Sequence, residues 1–220
     1  MATREPFAAS NPIIPPEIHG AATPRSNHAI LAELKDATSA HHRKLESEGD
    51  IWTMLSSPSR YRHLISRMFG IYLPLESRLQ SVQGLSTYLP DISRRWKISM
   101  LTADLLVLGV DPRSCLEITD TPDFANVAAA FGCLYVLEGS TLGGQFISRQ
   151  LHAELGLTPE NGCRFFSSYG ANVGQMWMTF GQALESFAAA HDGCRYEIVE
   201  SAVATFECFS RGLACKEHPI

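Results

Sequence analysis

The sequence predicts an all-α, single-domain protein of about six helices. Three observations carry this. Apolar residues recur at steps of three and four along six separate stretches. No apolar–polar alternation of the kind a strand needs lasts more than a few residues. Clusters of Gly, Pro, Asn and Asp punctuate the chain between the periodic stretches. Helices without strands must bury their stripes against one another, which gives a bundle.

Residues 1–25 read as a flexible N-terminal arm. Pro6, Pro12, Pro15, Pro16 and Pro24 remove backbone donors and fix φ there. A partner-binding tail is the other reading of such a segment. The helical domain is expected over 26–215, with a tail at 216–220. Ser26 and Asn27 can cap a first helix, whose stripe is Leu31, Leu34, Thr38, His41 or His42, and Leu45. A second helix spans about Ser59 to Val82 along Tyr61, Leu64, Met68, Ile71, Tyr72, Leu75 and Leu79, with a kink expected at Pro74. A third covers Asp91 to Leu108 and stops at Gly109 and Asp111-Pro112. A fourth begins near Pro122-Asp123 and continues to about Leu155. A fifth spans Val173 to Ala190, and a sixth runs from Tyr196 to Leu213.

Composition narrows the function classes. The chain has 220 residues, 45% hydrophobic and 19% charged, which excludes a largely disordered protein. A net charge of −5 leaves no basic field for nucleic acid or an anionic membrane. No uninterrupted apolar run reaches about 18 residues, so no membrane span is expected. Glu5 and the early prolines argue against a secretory signal. The six cysteines (Cys115, Cys133, Cys163, Cys194, Cys208 and Cys215) form no CxxC pair. Free thiols in a reducing cytoplasm are expected.

One helical stretch needs a reason beyond core-building. Leu134 to Gln145 carries Gly139, Gly143 and Gly144 inside a helix. Each interior glycine costs about 1 kcal/mol against alanine, so the three cost roughly 3 kcal/mol. That is large beside a net stability of about 5–15 kcal/mol. A close helix crossing, a kink, or a backbone laid directly against a flat ligand would each offset it.

The second candidate is His41-His42. One can be a surface histidine and the other a packed core histidine. The functional reading is a metal ligand whose second ring nitrogen needs an acceptor. Glu46, four residues after His42, lies on the same face to supply one. Lys35 lies upstream, where it can meet an anionic ligand edge. HExxH, GxSxG, P-loop and dinucleotide patterns are absent from the sequence.

Together these residues resemble the haem oxygenase family, and more closely its bacterial biliverdin-producing branch, often paired with bacteriophytochromes. Leu34 to His42, followed by Glu46, resembles the family's proximal helix. Tyr72-Leu73-Pro74-Leu75-Glu76 resembles a second family helix, whose tyrosine joins the distal polar network. Leu134 to Gln145 resembles the kinked distal helix over the haem face. Phe165-Phe166 and Phe206 sit where the family has pocket aromatics.

The resemblance implies a bundle with haem b sandwiched between a proximal and a kinked distal helix. It implies cleavage of haem to biliverdin, CO and Fe²⁺, with O₂ and external electrons from a ferredoxin or flavoprotein reductase. A bacteriophytochrome is the implied product acceptor. His42 is the implied iron ligand. Helical projection puts His41 nearer the centre of the apolar stripe, but the motif selects His42. Tyr72, Gly139 and Ser140 take catalytic positions. Lys35, Thr38, Glu46, Tyr135, Gly139, Gly143, Gly144 and Phe206 take haem-contact positions.

Two departures stand out. Ser140 occupies the place where many members carry a water-ordering aspartate, although the bacterial branch often has serine there. Gly174 to Met178 has no Lys or Arg where the family clamps propionates. A non-enzymatic haem carrier or sensor is the alternative function. A plain helical interaction module is a third.

Overall fold

The computed structural model of the chain describes residues 29–48 and 51–214. The arm, Ser26 and Asn27, Cys215 and the tail 216–220 lie outside them. Among the described residues there is no strand. The α-helices are α1 (Ala29–Glu48), α2 (Ile51–Met54), α3 (Pro58–Ser81), α4 (Leu85–Tyr88), α5 (Ile98–Val107), α6 (Val127–Leu155), α7 (Arg164–Ser167), α8 (Val173–Ala190) and α9 (Cys194–Ala214). Six are long and match the six periodic stretches. The single turns α2, α4 and α7 are too short to show a period.

Two boundaries differ from expectation. The stretch expected as one helix over 91–108 is broken: a 3₁₀ turn at Ile92–Arg94 precedes α5. The break lets Arg95 and Lys97 point into the interior, and the buried Glu76 carboxylate caps α5 by accepting from Lys97 N (2.5 Å) and Ile98 N (3.1 Å). Burial holds the Glu76 carboxyl above its ordinary pKa. Helix α6 starts later than expected, at Val127, because the Asn126 side chain accepts from Ala128 N and Ala129 N.

Helix α3 runs through Pro74 unbroken. Proline has no N–H to give the carbonyl four residues back, which is Gly70 O. Ile118 N donates to that carbonyl instead, at 3.1 Å. Gly70 permits the approach, since a Cβ there would fall 2.0 Å from Leu116 O. The 116–118 segment is thus docked where Pro74 leaves an acceptor open.

Helix α9 is the central support. It packs along both α6 and α1, and α6 also meets α7 and α8. The α6–α9 crossing is close at Gly132, where an added Cβ would lie 2.2 Å from Ile198 O and 2.8 Å from Ser201 Cβ. Ser201 Oγ donates to Ala129 O across the same crossing. Helix α1 is tied to α8 by Glu185, which accepts from Leu31 N (3.1 Å) and Ile30 N (3.4 Å). An acidic group at a helix N-terminus also meets the helix dipole favourably.

Helix α6 is long and apolar enough to cross a membrane by length and composition, contrary to the reading of uninterrupted runs. It is instead the core helix of the bundle, with 67% of its apolar window buried. The five described cysteines are free thiols.

Gly132→Ala forces a methyl group into the α9 backbone. It should cost about 3 kcal/mol by overpacking, a fall in melting temperature of roughly 10 °C for a chain of this length. Thermal unfolding followed by circular dichroism measures it. An unchanged melting temperature refutes the close crossing.

Candidate functional site

Helices α1 and α6 both lean on α9, yet make no comparably extensive contact with each other. A cleft therefore separates the helix that carries His42 from the helix that carries Gly139. At one end the walls converge, where the Tyr135 hydroxyl meets the Thr38 side chain. Thr38 is buried and donates to Leu34 O at 2.7 Å. At the other end Phe146 of α6 meets Trp52 of α2 edge to face, with ring centroids 5.4 Å apart. Tyr135 and Phe146 are roughly 16 Å apart along the helix axis. Gly139 and Gly143 fall between them on the same side of α6, since positions spaced by four and seven residues share a face.

His42 lies on the α1 wall, with its side chain 42% exposed. Its ring stands edge-on to Phe206 of α9, centroids 5.9 Å apart. Its Nδ1 lies 3.4 Å from Glu46 Oε1. That oxygen is buried and makes no hydrogen bond of good geometry. A small rotation of the ring would complete one from Nδ1–H and fix the tautomer with Nε2 free. An orphaned acceptor beside an imidazole suits a histidine whose Nε2 takes a metal. Among the described residues no three His, Cys, Asp or Glu side chains gather into a metal site. One imidazole with a buried acceptor beside its Nδ1 fits a metal that takes a single protein ligand. Lys35 lies seven residues before His42 on the same helix face and is exposed.

The opposite wall is bare backbone at Gly139. A Cβ there would meet the Trp177 ring at 3.7 Å, an ordinary contact. No close helix crossing accounts for this glycine. Gly144 differs from its expected role. Its missing Cβ is filled by Phe166 O, 2.8 Å away, so it serves packing against α7. Phe165 and Phe166 are buried behind α6. Phe165 stands edge-on to Tyr72, and Phe166 neighbours Tyr61.

Ser140 follows Gly139 and links to Tyr72 of α3, with Oγ 3.2 Å from the phenol oxygen. Ser140 also bonds Leu137 O at 2.8 Å, and a carbonyl can only accept. The serine proton is thereby committed, so Tyr72 donates to Ser140 Oγ. Burial pushes the Tyr72 phenol far above its usual pKa, which keeps it a neutral donor. Thr141 bonds back to Glu138 O in the same turn. Such back-bonding favours a bend, though α6 is continuous through it.

Behind this wall lies a polar cluster that sequence reading missed. Glu138 is buried and accepts from Arg95 Nη1, from Tyr169 OH at 2.8 Å and, at 3.4 Å, from Lys97 Nζ. Burial holds the Lys97 ammonium below its ordinary pKa against the pull of Glu138. The available signal was Glu138 as the single charged residue between Val127 and Ile147. Trp52, Phe146 and Trp177 were also missed. Phe146 could have been found at seven residues after Gly139.

These features define an all-α protein with an imidazole-bearing helix set across a gap from a glycine-bearing one. Comparison with protein families matches residues 28–214 to the family described as Heme oxygenase. The chain belongs to the haem oxygenase family, whose members bind and degrade haem. Among solved structures it is similar to the heme oxygenase from Neisseria meningitidis, determined with NO and CO bound. The TM-score is 0.70 at 21% identity, covering 84% of this chain and 89% of that one. It is also similar to heme oxygenase from Leptospira interrogans, with a TM-score of 0.70 at 16% identity, covering 84% and 98%. At these identities the likeness is one of fold. Comparison with curated proteins gives no significant match.

The two glycines should separate in the apoprotein. Gly139→Ala should leave stability unchanged or raise it by up to about 1 kcal/mol through helix propensity. Gly144→Ala should lower it by about 1–3 kcal/mol through overpacking. Denaturant unfolding of both variants measures the difference, and equal losses would refute this division.

Proposed function

We propose that the chain cleaves haem to biliverdin, CO and Fe²⁺, using O₂ and electrons from an external ferredoxin or flavoprotein reductase. Its bilin would supply a bacteriophytochrome. Bound haem supplies the iron that activates O₂ and the ring that is opened. The observation that carries this reading is His42, with Nδ1 turned toward Glu46, set across a gap from the uncovered backbone at Gly139. A reducing, cytoplasmic setting is the one in which its cysteines would stay free thiols.

The chain's own residues divide the work. His42 Nε2 would ligate the iron, and Glu46 beside its Nδ1 would hold the imidazole's orientation. Phe206 backs the imidazole. Gly139 and Gly143 keep side-chain bulk off the opposite face. Tyr135 and Thr38 bound one end of the ring's slot, while Trp52 and Phe146 bound the other. Lys35 lies on the ligand's face of α1 to meet a carboxylate edge.

Ser140 answers the missing aspartate. Its proton points inward to Leu137 O, so an oxygen lone pair remains for a water to donate to. That is the acceptor role a carboxylate would otherwise play. Tyr72 holds this polarity by donating to Ser140.

Hemin titration of the purified protein should give a one-to-one complex with a histidine-ligated spectrum. His42→Ala should abolish that spectrum, and His41→Ala should keep it. The reverse result overturns the ligand assignment. Reductant and O₂ should then bleach the Soret band and yield biliverdin. A complex that stays stable under those conditions identifies a carrier or sensor, and no stoichiometric binding leaves only an interaction module.

Tyr72→Phe should keep the hemin spectrum and affinity but slow single turnover by about tenfold to a hundredfold, the usual span for a lost hydrogen-bonding group near the chemistry. Stopped-flow decay of the Soret band reads it. An unchanged rate removes Tyr72 from the distal network.

A further inference from the structure

We propose that Arg95 is a positioning residue that fixes α6 against α8 beside the cleft, and through it the in-plane seating of the ring. The inference rests on the haem-cleaving reading above. Arg95 is fully buried and joins three segments through one rigid guanidinium. Its Nη1 donates to Glu138 Oε2 of α6 at 2.5 Å and to Met176 O of α8 at 3.2 Å. Its Nε and Nη2 donate to the two oxygens of Asp91, at 3.0 and 2.7 Å.

What matters is the sequence neighbour of each anchor. Glu138 precedes Gly139, and Met176 precedes Trp177. Gly139 and Trp177 face each other, with the Trp177 ring 3.7 Å from where a Gly139 Cβ would stand. Fixing one residue of a helix fixes the rotation of the next, because successive residues are set at a constant angle. The guanidinium therefore acts as a bracket between the bare backbone and the aromatic ring that borders it. Trp177 is itself braced by Tyr135 and Phe180, at ring centroids of 5.8 and 5.7 Å.

The first turns of α8 carry no Lys or Arg to hold a carboxylate edge. On that side the position of Trp177, rather than a charged clamp, must limit how the flat ring turns. Glu138 keeps Tyr169 and Lys97 as donors if Arg95 is replaced. What a replacement removes is the tie to α8. Lysine retains the charge but offers a point donor on a flexible stem, which cannot span Asp91, Glu138 and Met176 O together.

The test compares Arg95→Lys with Gly212→Ala, whose added methyl crowds Ile71 and Ile118 and destabilises away from α8. In apoprotein, amide exchange at 139–143 and 176–178 should rise about tenfold in Arg95→Lys, equivalent to roughly 1.4 kcal/mol of local opening. Gly212→Ala should not raise exchange selectively there. With hemin, Arg95→Lys should keep the His42-ligated spectrum, bind about tenfold more weakly, and yield a mixture of biliverdin isomers where the parent yields one.

Parental exchange protection together with an unchanged isomer pattern overturns the proposal and leaves Arg95 a stabilising residue only. If Arg95→Lys does not fold, Arg95→Met/Glu138→Leu replaces the pair with apolar volume and breaks the same tie. It should show the same exchange and isomer changes, and unaltered values there also overturn the proposal. If the parent protein ignores hemin, the functional reading fails, while the apoprotein exchange comparison still decides whether Arg95 ties α6 to α8.

Discussion

Two apolar helix faces separated by a gap close on each other unless other contacts hold them apart, because burying both faces is favourable. Here α9 acts as the floor under α1 and α6, and the ion cluster around Glu138 locks α6 from behind. A buried charge pair is weak evidence of stability, since apolar residues of equal volume often do as well or better. Its contribution is geometric. A guanidinium with three obligatory acceptors tolerates one arrangement of α6, α8 and the turn before α5.

The glycines of α6 show how one residue type answers different demands along one helix. Gly132 lets α9 cross closely, and Gly144 accepts the Phe166 carbonyl. Both are accounted for by protein atoms. Gly139 is not, since its neighbouring ring would accommodate a methyl at ordinary contact distance. An interior helical glycine with no steric reason inside the protein still carries its propensity cost of about 1 kcal/mol. Among the described residues no protein atom supplies the steric reason that Gly132 and Gly144 have.

The six long helices were legible because each buries a stripe, and stripes leave a period in the sequence. The break at 95–97 was not. Arg95 and Lys97 lie inside the stretch expected as one continuous helix, whereas both are buried and paired with Glu138, about forty positions away. A long-range ion pair leaves no local spacing to find. His42 and Glu46 were legible as a four-residue pair, and Gly139 as a propensity anomaly. Spacing alone did not separate Gly139 from Gly144, because their difference lies in what the rotation of α6 turns each toward. Trp52 escaped notice for a related reason: it sits on a single helical turn that meets Phe146 only through the tertiary fold.

Serine in place of a carboxylate at the distal wall looks like a loss of function only if the group is judged by its charge. An acidic side chain there orders water by accepting hydrogen bonds. Ser140 has one proton, and the helix has already taken it at Leu137 O. Tyr72 uses one serine lone pair and supplies the opposing donor. What remains facing outward is an acceptor, weaker than a carboxylate but of the same polarity. The tyrosine keeps that polarity because its burial makes the phenolate inaccessible. Two neutral hydroxyls in series thus present an acceptor beside the glycine backbone without placing a charge there.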